Sequence, residues 1–331
     1  MPDARMPYRT LHFGIGAIGA QVAALALRRD DVSPVAATDA DPAKRGRDLG
    51  QLCGAAACGV MVDPGALTAT ECDVVLHCTG SFLPDVMPQL LGCIAVGRSV
   101  ISTCEELSYP WHRYPELARE LDERAKAKGV RVLGTGINPG FMLDALVLAA
   151  SAASQGVEAV RGLRLVDVST RREQLQRKVG VGLTRAEFEA KLATGRFGHV
   201  GLKESAWLIA AGLGWKLDAL DETLEPVMAP SGSSGLTDDP AAIGITQHAR
   251  GTMGGREVIA LEVTMTAAAD RPRDEIILEG TPRIWMTVEP GPQGDLATAS
   301  VLVNAIPGVL ASPPGLLTML DLVPLRGRGL R

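Results

Sequence analysis

The strand-like run Ser99 to Thr103 ends in Cys104-Glu105-Glu106-Leu107, which puts two adjacent carboxylates at one strand end. A carboxylate in a dry pocket has its pKa raised and can take or give a proton as general base or acid. Neighbouring side chains on an extended backbone point to opposite faces, so the two cannot both serve one cleft. Glu105 is the residue we place there; the plain alternative is that one or both cap the following turn. Cys104 offers competing chemistry, because a thiolate would be a nucleophile, and His112 is the nearest histidine able to assist it. At the next strand end, Gly134-Thr135-Gly136-Ile137-Asn138-Pro139-Gly140-Phe141 carries an amide, Asn138, suited either to a ligand or to an Asx turn. His199, between Gly198 and Val200-Gly201, precedes a helical pattern and can touch substrate or start that helix. Arg171-Arg172 follows an apolar strand and can bind a carboxylate or simply face solvent. His77, between Leu76 and Cys78, reads as a core histidine.

The elements that must hold these residues start at Leu11-His12-Phe13, which runs into Gly14-Ile15-Gly16-Ala17-Ile18-Gly19 and then an alanine-rich helical pattern, Gln21 to Arg29. Strand, glycine turn and helix in that order form a dinucleotide fingerprint, with the diphosphate on the helix N-terminus. A second strand, Val35 to Thr38, ends in Asp39, 20 residues after Gly19. An acid there accepts from both adenosine ribose hydroxyls and repels a 2′-phosphate, which favours NAD over NADP; Lys44 and Arg45 nearby soften that preference. The run Asp73 to Thr79 closes in Gly80-Ser81, so Thr79, Gly80 and Ser81 are expected beside the cofactor, with Thr103 at the following strand end. Helical patterns at Pro42 to Leu52, Pro84 to Ala95 and Pro115 to Lys128 alternate with these strands, and Val130 to Leu133 adds another. The fold class is therefore α/β, a doubly wound parallel sheet of the Rossmann kind over residues 1–145. Residues 146–294 read as an α+β domain on an open mixed sheet that binds substrate and pairs subunits. Its strands are Val160 to Val168, Val258 to Ala267, Glu275 to Glu279 and Arg283 to Val288. Helices at Arg185 to Ala193 and Leu202 to Leu213 and a lid candidate, Ala229 to Asp239, lie between. Residues 295–331 read as a helix, Asp295 to Ile306, and a tail returning to the first domain.

A chain of 331 residues, 46% hydrophobic, suits two domains with substantial cores. The net charge of −5 without like-charge blocks and the 4% aromatic content exclude a nucleic-acid footprint and point to a small-molecule partner. Six cysteines without a CxxC pair, and scattered histidines, give no metal site; reduced thiols place the protein in the cytoplasm. The leader Met1 to Arg9 lacks a signal core and no uninterrupted apolar segment is long enough for a bilayer, so no membrane partner is expected.

The stretches GIGAIG at 14–19, ISTCEELSYPW at 101–111, VLGTGINPGF at 132–141, GHVGLKES at 198–205 and GDLATASVLVNAIP at 294–307 together resemble the 2,4-diaminopentanoate dehydrogenases. They are equally similar to the related native amine dehydrogenases with a dihydrodipicolinate-reductase-like N-terminal domain. The resemblance implies an NAD(P)-dependent homodimer that interconverts an amine with a ketone or aldehyde plus ammonia. It implies a catalytic glutamate at Glu105 or Glu106, a nicotinamide contact at Asn138 and a pocket lined by Phe141 and His199. The residues themselves add Met142 as apolar pocket wall for a simple carbonyl, Arg171 or Arg172 as a cation for a diamino acid, and Asn304 to the cofactor set. Paired histidines of dihydrodipicolinate reductases proper are missing, and so is the lysine of the CEKP-like stretch in sugar dehydrogenases. Alternatives at this point are an alcohol or sugar dehydrogenase on the same scaffold and a nucleotide sensor without turnover.

Overall fold

The computed structural model describes residues 6–169, 173–230 and 241–322. It divides into two compact units, one made of residues up to Phe141 and from Gln293 onward, the other of Met142–Pro292.

The first unit begins with β1 (Tyr8–Phe13), α1 (Ala17–Ala26), β2 (Val32–Thr38), α2 (Leu49–Leu52), α3 (Ala66–Ala69) and β3 (Val74–His77). It continues through α4 (Leu83–Ala95), β4 (Ser99–Ser102), α5 (Pro115–Lys128) and β5 (Arg131–Gly134). Every residue of β3 and β4 is buried, as parallel strands covered on both faces must be. α5 shows how locally the sequence fixes an element: Pro115 opens it, Lys126 and Lys128 occupy its last turn, and Gly129 ends it at φ +69°. The helix expected over Pro42 to Leu52 is broken. A 3₁₀ turn, Pro42–Lys44, is followed by Gly46 at φ +70°, and α2 starts only after Asp48 caps it by accepting from Gln51 N.

The second unit carries α6 (Ala145–Ser151), β6 (Val157–Asp167), α7 (Glu173–Lys178), α8 (Arg185–Leu192), α9 (Leu202–Gly212), β7 (Ala219–Met228) and β8 (Ala242–Met253). β9 (Arg256–Thr266), β10 (Arg273–Gly280) and β11 (Ile284–Val288) follow. The sheet order is β11-β10-β6-β9-β8-β7, with β6 and β9 parallel and the other neighbours antiparallel. Val160, Ile245, Leu261 and Ile276 point to the covered face, where α9 packs on β7, β8 and β9. The opposite face presents Arg161, Leu163, Thr246, His248, Glu262 and Ile277, none of them buried. On the covered face Arg164 and Asp274, opposite each other in register, form a buried pair at 2.8 Å, and Arg164 also donates to Pro292 O.

The chain then returns with α10 (Gly294–Ala311) and β12 (Gly315–Leu317). β12 completes an all-parallel first sheet of order β12-β5-β4-β3-β1-β2. By length and composition alone the 18 residues of α10 could cross a bilayer, although Asp295 and Asn304 interrupt its apolar run. Here Leu302, Val303, Ile306 and Val309 are buried and the helix packs on α1 and β4, as the core helix of a folded unit does.

Candidate active site

The glycine turn sorts its own residues. Gly14 has φ +87°, and a Cβ there would lie 2.7 Å from Cys78 O; a Cβ on Gly19 would lie 1.9 Å from Gly14 O. The first and third glycines are thus required by the backbone itself. A Cβ on Gly16 would meet nothing within 4 Å. Gly16 and Ala17 are exposed, Ile18 is half-buried, and Gly16 brings no capping side chain to the start of α1. An open, uncapped helix start next to a backbone-packed strand fits the diphosphate of a dinucleotide. Asp39 stands against this turn at the end of β2: Oδ2 accepts from Ile15 N at 2.6 Å and from Lys44 Nζ at 2.9 Å, while Oδ1 accepts from Asp41 N at 2.8 Å. Burial pushes its pKa up, but the Asp41 and Ile15 N–H groups and the Lys44 ammonium outweigh it and hold the carboxyl below its usual range.

Beyond β3 and β4, Thr79, Gly80, Ser81 and Thr103 share one end of the sheet, tied by a polar chain. Gln89 Oε1 accepts from Thr79 Oγ1 at 2.6 Å and lies 2.7 Å from His77 Nε2. His77 Nδ1 lies 2.8 Å from Ser102 Oγ, which accepts from Cys104 N at 3.0 Å. Facing the Gln89 carbonyl oxygen, Nε2 carries the proton and Nδ1 accepts from the Ser102 hydroxyl. Burial lowers His77 to about 4, so it is neutral at working pH and serves as a core histidine. The Cys104 thiol donates to Ser81 O at 3.2 Å, and burial raises its pKa, which argues against a thiolate nucleophile.

Glu105 and Glu106 sit on a 3₁₀ turn, Glu105–Leu107, and diverge. Glu105 is half-buried, whereas Glu106 is 2% exposed and its carboxylate is committed inside the unit. Its Oε2 accepts from Leu83 N at 2.8 Å, its Oε1 from Tyr114 Oη at 3.1 Å, and Arg113 Nε lies 3.8 Å from Oε1. Both oxygens of Glu106 are thus taken up by contacts within the unit, and Glu105 is the more exposed of the two carboxylates. The turn rests on β5, where a Cβ on Gly134 would come within 2.4 Å of Leu107 C.

In the second unit, the loop before α9 is gripped by Gln247. Its Oε1 accepts from His199 N at 3.0 Å, and its Nε2 donates to His199 O and to Glu222 Oε1, each at 2.8 Å. Gly198 permits this at φ +99°, where a Cβ would lie 2.0 Å from Leu224 Cδ1. Burial, with the charges of Lys178 and Arg164, lowers His199 to about 3, so it offers a neutral imidazole.

A family model, the 2,4-diaminopentanoate dehydrogenase C-terminal domain, matches residues 141–327. A 2,4-diaminopentanoate dehydrogenase of Acetoanaerobium sticklandii is 33% identical over 273 residues, spanning 80% of this chain and 77% of that enzyme. The chain belongs to the 2,4-diaminopentanoate dehydrogenase family. An amine dehydrogenase of Streptomyces virginiae is 24% identical over 96% of both chains. The solved structure of an amine dehydrogenase from Mycobacterium smegmatis, 28% identical, superposes with a TM-score of 0.84 over 98% of each chain. Membership confirms the resemblance and the Rossmann-type sheet with its mixed partner sheet.

Within this family member, the glycine turn, Asp39, Thr79 to Ser81, Thr103 and Glu105 are carried on the carboxyl-end loops of one parallel sheet. Asn138, in the loop after β5, is 7% exposed, and Phe141 is half-buried. Met142, expected in the pocket wall, is 4% exposed in the core of the second unit. Asn304 is not brought to the glycine turn: it accepts from Arg29 Nη1 at 2.9 Å, beyond the opposite end of α1. Arg171 and Arg172 lie outside the described residues, as does most of the lid candidate. Sequence reasoning passed over Thr135, 3% exposed, whose hydroxyl has no hydrogen-bond partner among the described residues. A threonine between two strand-end glycines was the only available signal.

Proposed function

We propose that this chain is an NAD(P)-dependent amine dehydrogenase that converts a ketone or aldehyde and ammonia into an amine, and the amine back. The observation that carries the reading is the division of labour at the end of β4, where Glu106 is held inside and Glu105 is left half-exposed on a braced turn beside the dinucleotide-type loops. When bound, the nicotinamide supplies hydride to the iminium carbon or accepts it in the reverse direction. Glu105 takes a proton from the ammonium ion, the freed ammonia adds to the carbonyl carbon, and a second N–H proton passes to the resulting alkoxide. Glu105 then returns its proton to the hydroxyl, which departs as water and leaves the iminium cation. The negative charge of Glu105 stabilises that cation. Asn138, with the Thr135 hydroxyl, orients the carboxamide of the cofactor, and Phe141 contributes to substrate binding.

The Lys44 ammonium on Asp39 supports acceptance of NADP besides NAD, with NAD preferred: the lysine offsets the charge that would repel a 2′-phosphate. Lys44→Ala is expected to raise the NAD-to-NADP ratio of kcat/KM about tenfold, as one lost charge-assisted contact would. The uncovered face of the second sheet supports a homodimer, because it pairs apolar Leu163 and Ile277 with charged neighbours and carries Trp285, 61% exposed, at its edge. Cysteines 53, 58, 72, 78, 93 and 104 are all free thiols, which supports work in the reducing cytoplasm. The test is NADH oxidation with a panel of small ketones and aldehydes, each with and without concentrated ammonium at mildly alkaline pH. Ammonium-dependent oxidation is expected; oxidation indifferent to ammonium means carbonyl reduction and removes the role given to Glu105.

A further inference from the structure

Helix α4 begins without a local cap. Phe82, at its N-cap position, has no side-chain oxygen to accept from the first-turn N–H groups, and no side-chain cap bond forms there. The acceptor comes from 23 residues away: Glu106 Oε2 takes the Leu83 N–H at 2.8 Å. The same residue's backbone N–H donates to Ser81 O at 3.2 Å, so side chain and main chain of Glu106 together tie the Glu105–Leu107 turn to residues 81–83. Tyr114 and Arg113 hold the other carboxylate oxygen from the far side of the turn. Ser108 closes the turn itself, its N–H and hydroxyl both donating to Glu105 O at 3.1 and 2.8 Å.

We propose that Glu106 is a positioning residue of the reaction: its carboxylate locks the turn presenting Glu105 to the start of α4, and so fixes Glu105 relative to the Thr79 to Ser81 loop. The inference rests on the reading of Glu105 as the proton-transfer group. A helix N-terminus favours the anion that caps it, so the lock is strongest with a full negative charge, while the geometry needs only an acceptor oxygen. Glutamine keeps that oxygen and alanine removes it. Because a misplacement of about 1 Å can lower turnover about 100-fold, loosening the lock should appear in kcat far more than in ligand affinity.

The experiment compares Glu106→Ala, Glu106→Gln, Tyr114→Phe and Glu105→Gln by ammonium-dependent NADH oxidation, NADH dissociation constant and thermal melting. For Glu106→Ala, kcat is expected to fall about 100-fold with KM for the carbonyl and the NADH constant within about threefold. Glu106→Gln should recover most of that loss, and Tyr114→Phe, which removes one of the bonds, should lower kcat about fivefold without a change in melting. A folded Glu106→Ala with wild-type kcat overturns the proposal, and so does a glutamine variant as impaired as the alanine one. Should Glu106→Ala fail to fold, Tyr114→Phe decides: reduced kcat at unchanged melting supports the lock, and wild-type kcat overturns it. Full turnover in Glu105→Gln removes the proton-transfer reading itself, whereas loss there with full turnover in Glu106→Ala removes only the positioning role.

Discussion

The two six-stranded sheets in this chain differ in what they leave available. The first is all parallel, buried through β3 and β4, and offers only its strand ends; the second is mixed, covered by α9 on one side, and offers a whole face. A strand end concentrates backbone N–H groups, helix starts and short turns at one place, which suits chemistry on a small molecule. A bare sheet face spreads alternating apolar and charged side chains over a broad area, which suits contact with another protein surface. On the function proposed above, reaction and association fall to different kinds of surface.

The sharpest way to break that assignment is Glu105→Gln. Turnover is expected to fall about 10² to 10⁴-fold, the range of lost general acid-base catalysis, with NADH binding nearly intact by fluorescence titration. Acid should then weaken both units, since His199 in the second is lowered as well, to about 3. His12 and His77, both buried in the first unit, are lowered from 6.5 to about 4, chiefly by burial. Between those values the unfolded chain takes up protons that the folded protein refuses. Stability therefore falls as pH drops from 6.5 towards 4, by up to about 3 kcal/mol per histidine. Urea midpoints at pH 7 and pH 5 check the sign, and His77→Gln should flatten the dependence. Smaller again is the contrast between two glycines. Gly19→Ala must displace backbone and is expected to destabilise by about 1–3 kcal/mol in denaturant melts, while Gly16→Ala should melt like the wild type and weaken NADH binding. Least costly to turnover is Trp285→Lys at the edge of the open face, expected to shift the sedimentation coefficient towards monomer with kcat changed less than about twofold.

Legibility in the sequence followed the same division. The parallel unit could be read because its strands are short continuous apolar runs and its helices carry their own punctuation, as at Pro115 and Gly129. β7 and β8 were passed over in the second unit for a physical reason. β7 is an edge strand whose outward positions include Asp221, Thr223 and Glu225, with Pro226 inside it, and β8 carries Gly244 and Gly251. Such residues look like loop until β9 is there to pair with β8. At the site, spacing alone placed Glu105 and Glu106 at one strand end, but their surroundings are told apart by Leu83 and Tyr114, which no local pattern connects to them. Asn304 lies away from the glycine turn, because an amide on a helix says nothing about which neighbour claims it.

The return of α10 and β12 has a consequence for how the protein is made. The edge strand of the first sheet pairs Gly315 with Arg131, and the bond from Arg29 to Asn304 closes across 275 positions of chain. A ribosome adding 5–20 residues per second would deliver the whole second unit before α10 and β12, a delay of roughly ten to thirty-five seconds after residue 141. During that interval the flank of β5 lacks its partner strand and α1 lacks the helix that packs on it. The first unit is therefore begun first and finished last, and its nascent form is the species most dependent on protection from neighbouring chains.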